Sequence, residues 1–258
     1  MEYRKLGDSN LEVSAVGFGC WQIGGYYWGR VDEAEWIAAV QRALDSGITL
    51  FDTADWYGFG RSEQLLAKAL GPRRDEAVIA TKVGLTMRGG KHDFAPNELL
   101  ELEDHIEKDL SRDHIMQAAE DSLRRLQTDV IDLYLLHWPD VTTPLEETME
   151  AMGELVQAGK VREVGCCNFS VSEMREAHSY RALAVHQFPY NMLNREPEQE
   201  LLPAGMTTSA PWPTGRCSKA CLRVSTHKIP YSRPTTGGTT IPHSRAIPSS
   251  AVCRSSKS

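Results

Sequence analysis

Short apolar segments that alternate with amphipathic segments constrain the fold of this chain more than any other feature of its sequence. Three of the apolar segments end in an ionisable residue, namely Asp52, Lys82 and His137. Apolar runs of this length, separated by helix-length segments, predict buried strands of a parallel sheet. Because parallel strands direct their carboxyl ends to one edge of the sheet, we expect the three polar side chains to lie along that edge.

The alternation of strand-like and helix-like segments continues over about six units. The predicted strands comprise residues 16–19, 48–52, 78–82, 130–136, 161–166 and 183–187. The predicted helices comprise residues 33–46, 62–70, 112–126, 144–159 and 171–179, and a sixth begins within residues 196–202. Strict alternation of this kind indicates an α/β fold.

Two α/β architectures are compatible with this order of segments. A TIM-type (β/α)8 barrel is favoured, because polar strand ends recur along the whole series and would converge on one barrel mouth. A doubly wound sheet is the weaker alternative, since no GxGxxG motif follows the first strand. A complete barrel needs eight units, so about six units predict an incomplete barrel.

Local signals predict how the chain enters and connects these units. Residues 3–13 form a predicted β-hairpin, because the turn residues 7–10 separate two short extended runs. Residues 84–110 form a long insertion with a predicted short helix at residues 96–107. Thr143 and Pro144 fit the N-cap and the first position of the helix that follows.

The composition changes sharply in the last fifth of the chain. Residues 205–258 contain eighteen Ser or Thr, eight Lys or Arg and no Asp or Glu, without apolar periodicity. This composition is typical of disordered segments. The sequence therefore predicts a partial barrel over residues 1–204 and a disordered tail over residues 205–258.

Charge and cysteine content exclude several classes of protein. A formal net charge of −7 argues against a surface for nucleic acid or anionic membrane. No apolar run approaches ~18 residues and no signal peptide follows Met1, so we expect a cytoplasmic protein. The six cysteines suit reduced thiols. Cys217 and Cys221 lack further ligands in register, so no metal site is predicted.

The residues at the strand ends suit one kind of chemistry. Asp52, Lys82 and His137 would meet Tyr57, which lies in the loop after the Asp52 strand. A carboxylate, an amine, an imidazole and a phenol together are suited to proton transfer at a carbonyl group.

Each of these residues also has a plainer explanation. Asp52 and Lys82 could form a structural ion pair, Tyr57 could be a packed loop aromatic, and His137 could simply end a strand. Four tryptophans that follow strands could line an apolar substrate pocket or could be scattered structural aromatics; these are Trp21, Trp28, Trp56 and Trp138.

Several separate motifs in order resemble the aldo-keto reductase family over residues 1–204. They are FDTADWYG at 51–58, ATK at 80–82, SLRRLQTDVIDLYLLH at 122–137 and VGCCNFS at 164–170. The resemblance implies a (β/α)8 barrel that binds NADPH and reduces aldehydes or ketones to alcohols. It also implies a small-molecule carbonyl substrate.

The resemblance assigns roles to individual residues. It places the catalytic tetrad on Asp52, Tyr57, Lys82 and His137. In this hypothesis Tyr57 donates a proton to the carbonyl oxygen, and Lys82, held charged by Asp52, favours the phenolate. His137 orients the substrate oxygen. The implied cofactor contacts are Gly19, Trp21, Asp52, Cys167, Asn168 and Gln187.

The chain departs from the family pattern at two places. The family usually has serine at the position of Cys167, and a thiol is a poorer hydrogen-bond partner than a hydroxyl. Residues 205–258 match neither the nicotinamide-stacking tyrosine nor the 2′-phosphate site of the family. We interpret this tail as a shifted reading frame or an erroneous gene model, which resequencing of the gene tests. A catalytically inactive or cofactor-binding regulatory protein is therefore the alternative function.

Overall fold

The computed structural model describes residues 1–25, 32–87, 106–208 and 210–214. In chain order the strands are β1 Tyr3–Lys5, β2 Glu12–Ser14, β3 Gly17–Gly19, β4 Leu50–Asp52, β5 Val78–Val83, β6 Leu85–Met87, β7 Ile106–Lys108, β8 Ile131–Leu136, β9 Val161–Cys167, β10 Val185–Pro189 and β11 Ala210–Thr214. The helices are α1 Glu33–Asp45, α2 Arg61–Leu70, α3 Arg112–Leu126, α4 Leu145–Gln157, α5 Val171–Tyr180 and α6 Leu201–Thr208.

Seven of these strands form one parallel sheet in the order β3-β4-β5-β8-β9-β10-β11. Each neighbouring pair is consecutive along the barrel series, as expected for strands that are joined by crossover helices. The sheet curls as a half-barrel of the TIM type. Among the described strands, β3 and β11 lie at its two edges.

The two faces of this sheet are buried by different partners. Side chains that face the helices form the larger apolar cluster, which includes Phe51, Ile79 and Leu136. Side chains that face the barrel interior form a second cluster with Leu133 and Leu135. Successive strand residues point to opposite faces, so nearly every position of β8 is apolar.

The predicted N-terminal hairpin is confirmed and closes one end of the barrel interior. Strands β1 and β2 pair antiparallel. Leu6, Leu11 and Val13 of this hairpin belong to the interior cluster. Ser14 exchanges hydrogen bonds of 3.0 Å with Thr49, directly before β4. The hairpin therefore covers the end of the barrel where the strands begin, and the opposite end stays available for a site.

The prediction that the strand pattern stops near residue 204 is wrong for the residues that follow directly. Helix α6 continues to Thr208, and β11 adds a seventh strand parallel to β10. Pro211 and Pro213 are unusual in a strand, because proline cannot donate to a sheet ladder. An edge strand directs only every other amide to its single neighbour, so these prolines are compatible with β11. Residues 215–258 of the predicted tail lie outside the described residues.

Two local predictions are also corrected. Ile106 and Glu107 belong to β7, which pairs antiparallel with β6, and not to the predicted helix at 96–107. The rest of that predicted helix lies outside the described residues. Pro144 is the N-cap of α4 and not its first helical residue, because its ψ of 129° is extended. Within the described ranges, no helix is both long enough and apolar enough to cross a bilayer.

His186 is a buried ionisable residue on the helix-facing side of β10. Its side chain is fully buried, and its ring packs edge-on against Phe188 with centroids 5.3 Å apart. Burial lowers the pKa of His186 from 6.5 to about 4. The unfolded chain therefore binds a proton at mildly acidic pH that the folded chain does not bind, and folding is opposed there.

We predict that stability falls as the pH drops from 6.5 towards 4, with a loss of about 2 kcal/mol from His186 at pH 5. His186→Asn should show a smaller difference between its melting temperatures at pH 7.5 and pH 5 than the wild type, even if its packing defect lowers both. Thermal denaturation followed by circular dichroism measures this difference. An unchanged difference in the variant would assign the acid sensitivity to other groups.

Candidate active site

The alternation of side chains along each strand brings the predicted polar residues into the barrel interior. Leu50, Ala80 and Leu135 belong to the interior cluster. Two residues later on the same three segments come Asp52, Lys82 and His137, which therefore point to the same side at the end where the strands finish. The predicted convergence of these residues is observed in the structure.

Lys82 lies at the centre of this group. Its side chain is 1% exposed. Its Nζ donates hydrogen bonds to Asp52 Oδ1 at 2.5 Å, to the Thr53 carbonyl oxygen at 2.7 Å and to Tyr57 Oη at 3.2 Å. An ammonium group has three protons to donate, so these three acceptors match its full donor capacity.

The environment of Lys82 keeps its amine protonated. Burial by itself disfavours the charged form, but the negative charge of the Asp52 carboxylate outweighs it and raises the pKa of Lys82 above its ordinary value. A charged amine that touches the Tyr57 oxygen can stabilise negative charge on that oxygen.

Tyr57 is held in the β4–α2 loop by a close approach of two backbone segments. A Cβ atom on Gly58 would lie 2.3 Å from the Gly24 carbonyl oxygen, and φ at Gly58 is 63°. Only glycine meets both conditions without strain. The Tyr57 ring lies 6.3 Å from the Trp21 ring, between centroids. The residue is 6% exposed, so its phenol reaches the cleft while its ring stays packed.

His137 faces the same phenol. Its ring is perpendicular to the Tyr57 ring, with centroids 5.9 Å apart, and the residue is 5% exposed. Its backbone oxygen accepts a hydrogen bond of 2.9 Å from Asn168 Nδ2. The end of β8 is thereby connected to the residue that follows β9.

The other predicted cofactor contacts lie next to this group. Gln187 Nε2 donates to Asp52 Oδ2 at 3.3 Å, and Cys167 Sγ donates to Gln187 Oε1 at 3.4 Å. Asn168 has a φ of 60°, a left-handed conformation that asparagine tolerates better than most residues. Gly19 ends β3, and a Cβ atom there would meet nothing within 4 Å. The space beside the Gly19 backbone is therefore open.

A cleft of about 740 Å³ connects these residues. Gly19, Trp21, Asp52, Tyr57, His137, Asn168 and Gln187 all line it. The cleft extends to the edge of the described sheet, where Trp212 of β11 also lines it. Its volume is within the usual range of small-molecule sites.

The four tryptophans do not form a single pocket lining. Trp21 lines the cleft, whereas Trp56 packs edge-on against Phe59 with centroids 5.3 Å apart. Trp138 is 40% exposed, and Lys108 Nζ lies 5.5 Å from its ring centroid. Trp28 lies outside the described residues. The explanation as scattered structural aromatics therefore fits Trp56 and Trp138.

Sequence reasoning missed a buried polar group behind the site. Glu63 is fully buried, and its Oε2 accepts a hydrogen bond of 2.5 Å from Arg125 Nε. A signal was present in the sequence, because Glu63 precedes Leu66 and Leu70 at the spacing of the buried face of α2. An acid at such a position predicts a buried ion pair or a functional role.

Asp55 lies in the same β4–α2 loop as Tyr57 and has Glu63 and Arg125 as charged neighbours. Its Oδ1 atom is buried and has no hydrogen-bond partner among the described residues. Burial and the neighbouring Glu63 carboxylate raise the pKa of Asp55 to about 8, although Arg125 opposes this shift. An unfolded aspartate ionises near 4, so the folded chain binds the extra proton between these values. Stability is therefore lost as the pH rises from about 4 through 8.

We predict that Asp55→Asn stabilises the protein at pH 8 and has little effect at pH 4. The amide has the same shape without the charge, so the gain at pH 8 should be at least about 1 kcal/mol, or about 2–4 °C in Tm. Melting curves at both pH values measure it. Asp129→Asn, at an exposed position, is the matched control. Equal shifts for the two variants would contradict a buried Asp55 carboxyl.

Comparison with known proteins was consistent across sequence and structure. The sequence profile described as the Aldo/keto reductase family matches residues 15–208. Aldo-keto reductase YhdN of Bacillus subtilis (strain 168) is 43% identical over 205 residues, which are 79% of this chain and 58% of that relative. The chain therefore spans less than two thirds of the length of this curated relative.

Solved structures with similar folds belong to the same group. The glycerol dehydrogenase AKR11B4 from Gluconobacter oxydans has a TM-score of 0.75 and 34% identity, with 92% of this chain and 68% of that chain covered. The aldo-keto reductase AKR11C1 from Bacillus halodurans, in its holo form, has a TM-score of 0.69 and 32% identity, with 91% and 79% covered. By sequence and by fold, this chain belongs to the aldo/keto reductase family.

Proposed function

We propose that this site reduces the carbonyl group of a small aldehyde or ketone to an alcohol with NADPH as the hydride donor. The observation that carries the proposal is the three-way contact of Lys82 Nζ with Asp52, Thr53 and Tyr57 inside the cleft. This contact directs a charged amine at a phenol that reaches the cleft, which is the arrangement required of a proton donor to a carbonyl oxygen.

The residues at the strand ends fit a bound nicotinamide. Gly19 leaves open space beside β3, Trp21 offers an aromatic side chain, and Asn168 and Gln187 offer amide groups on the opposite side of the cleft. When bound, the cofactor would supply a hydride to the carbonyl carbon, and the protein would supply binding, orientation and the proton.

The proton step follows from the contacts of Tyr57. Tyr57 Oη donates its proton to the substrate oxygen as that oxygen gains negative charge, and the phenolate left on Tyr57 is stabilised by the Lys82 ammonium 3.2 Å away. Asp52 keeps Lys82 charged throughout. His137, whose ring is perpendicular to the Tyr57 ring, orients the substrate oxygen.

A catalytically inactive, cofactor-binding protein is the second candidate function. It is favoured by one observation, which is that the sheet of the described residues has seven strands and two unpaired edges. Among the described residues, β3 and β11 are the edges of the sheet and both line the cleft, so cofactor affinity is the first property that separates the two candidates.

We predict that Tyr57→Phe abolishes carbonyl reduction and leaves the affinity for NADPH nearly unchanged. The substitution removes the donated proton and keeps the ring that packs beside Trp21. Steady-state oxidation of NADPH with a panel of small aldehydes and ketones measures the activity. Tyr180→Phe, at an exposed position on α5, is the matched control. Full turnover in Tyr57→Phe would reject the role of this residue.

We further predict that NADPH quenches tryptophan fluorescence and that Trp21→Phe removes much of the quenching, because Trp21 lines the cleft. A parallel titration with NADH tests the preference for NADPH. Quenching without turnover would favour the cofactor-binding candidate. Absence of quenching at any concentration would reject both candidates.

A further inference from the structure

The first turn of α2 holds the ends of three strands from the helix-facing side. Ser62 Oγ donates to the Cys20 carbonyl oxygen at 2.8 Å and lies 2.9 Å from Thr53 Oγ1. Cys20 follows β3, and Thr53 follows β4. Glu63 Oε1 accepts a hydrogen bond of 2.6 Å from Thr81 Oγ1 of β5. Ser62, Glu63, Thr53 and Thr81 are all fully buried.

Arg125 of α3 completes this group from the opposite side. Its Nε donates to Glu63 Oε2 at 2.5 Å, and its Nη2 donates to Ser122 Oγ at 3.2 Å. A Cβ atom on Gly60 would lie 2.4 Å from Arg125 Cδ, so the arginine packs directly on the end of the Tyr57 loop. Gly60 has a φ of 86° and precedes α2.

Three residues in the contacts of this group, Cys20, Thr53 and Thr81, are adjacent in sequence to residues of the candidate active site. Thr53 follows Asp52, and Thr81 precedes Lys82. Adjacent strand residues point to opposite faces, so Thr81 reaches α2 while Lys82 reaches the cleft. Tyr57 lies between Thr53 and Ser62 in the sequence, and these two residues are joined by a hydrogen bond. The group therefore holds the backbone of three of the four proposed catalytic residues without entering the cleft.

Burying the charges of Glu63 and Arg125 costs free energy. A buried ion pair loses much of its Coulombic gain to desolvation, and apolar residues of similar size often give equal or greater stability. We therefore test whether this pair fixes a specific conformation. Here the specific geometry is the 3.2 Å contact between Lys82 Nζ and Tyr57 Oη.

We propose that Glu63 and Arg125 are positioning residues that set the contact between Lys82 and Tyr57 through Thr81 and Gly60. This assignment rests on the proposed reduction, but the contact itself exists without substrate and can be measured without turnover. Glu63 acts on β5 through Thr81, and Arg125 acts on the Tyr57 loop through Gly60.

The test uses a substitution that removes one hydrogen bond and keeps the shape of the side chain. Thr81→Val removes the donor to Glu63, whereas Thr81→Ser keeps it. The phenolate of Tyr57 is titrated by ultraviolet difference absorbance, with the Tyr57→Phe protein of the same background as the reference. We expect Thr81→Val to raise the midpoint of the Tyr57 titration by about one pH unit, because the Lys82 ammonium then lies farther from the Tyr57 oxygen. We expect Thr81→Ser to match the wild type.

Thr148→Val is the matched control, because Thr148 is also buried and donates a hydrogen bond of 2.9 Å to the Leu110 carbonyl oxygen in another part of the fold. This variant should lower Tm without changing the midpoint of the Tyr57 titration. If Thr81→Val behaves in the same way as this control, the group is structural only and the proposal is wrong.

Activity provides the second measurement. Thr81→Val should lower kcat about tenfold with little change in KM, and Thr81→Ser should restore it. If the wild type reduces no carbonyl substrate, the proposed function fails, while the midpoint shift still decides the positioning role. If the wild type is active and neither the midpoint nor kcat changes in Thr81→Val, the positioning role alone is overturned.

Discussion

The buried ammonium group of Lys82 is the constraint on which the rest of this structure depends. A cation in the interior of a barrel is costly unless each of its protons has an acceptor and its charge has a partner. Asp52, the Thr53 carbonyl and Tyr57 supply these acceptors from one strand end and the loop that follows it. The sheet must therefore keep β4 and β5 in register, and the loop after β4 must turn back tightly, which Gly58 permits.

The same strand ends are held from both faces of the sheet. On the interior face the contacts are those of the candidate active site, and on the helix face they are the contacts of Ser62, Glu63 and Arg125. The chemistry proposed here depends on a distance of a few ångströms between an amine and a phenol, and loops alone hold such distances poorly. Buried polar contacts on both faces connect the Tyr57 loop to the strands beside it.

The two edges of the described sheet, β3 and β11, matter more for the proposed cofactor binding than for the proposed proton transfer. Asp52, Lys82 and His137 come from β4, β5 and the end of β8, which are neighbours within the sheet, so their mutual geometry is independent of β11. The cleft beside them extends to β3 and β11, the edges of the described sheet. The proposed proton transfer would therefore depend mainly on the central strands β4, β5 and β8, whereas the proposed binding of a cofactor would depend on the edges of the described sheet.

The sequence by itself determined the α/β alternation, six of the seven parallel strands, and the three ionisable residues at or next to the ends of β4, β5 and β8, because apolar runs and their polar ends are local signals. It did not predict β11, since Pro211 and Pro213 resemble a strand break until a neighbouring edge is known. It also did not predict that Glu63 pairs with Arg125 across 62 positions. Only the tertiary structure decided these features, because the free energy of a buried charge depends on the partners that folding brings to it.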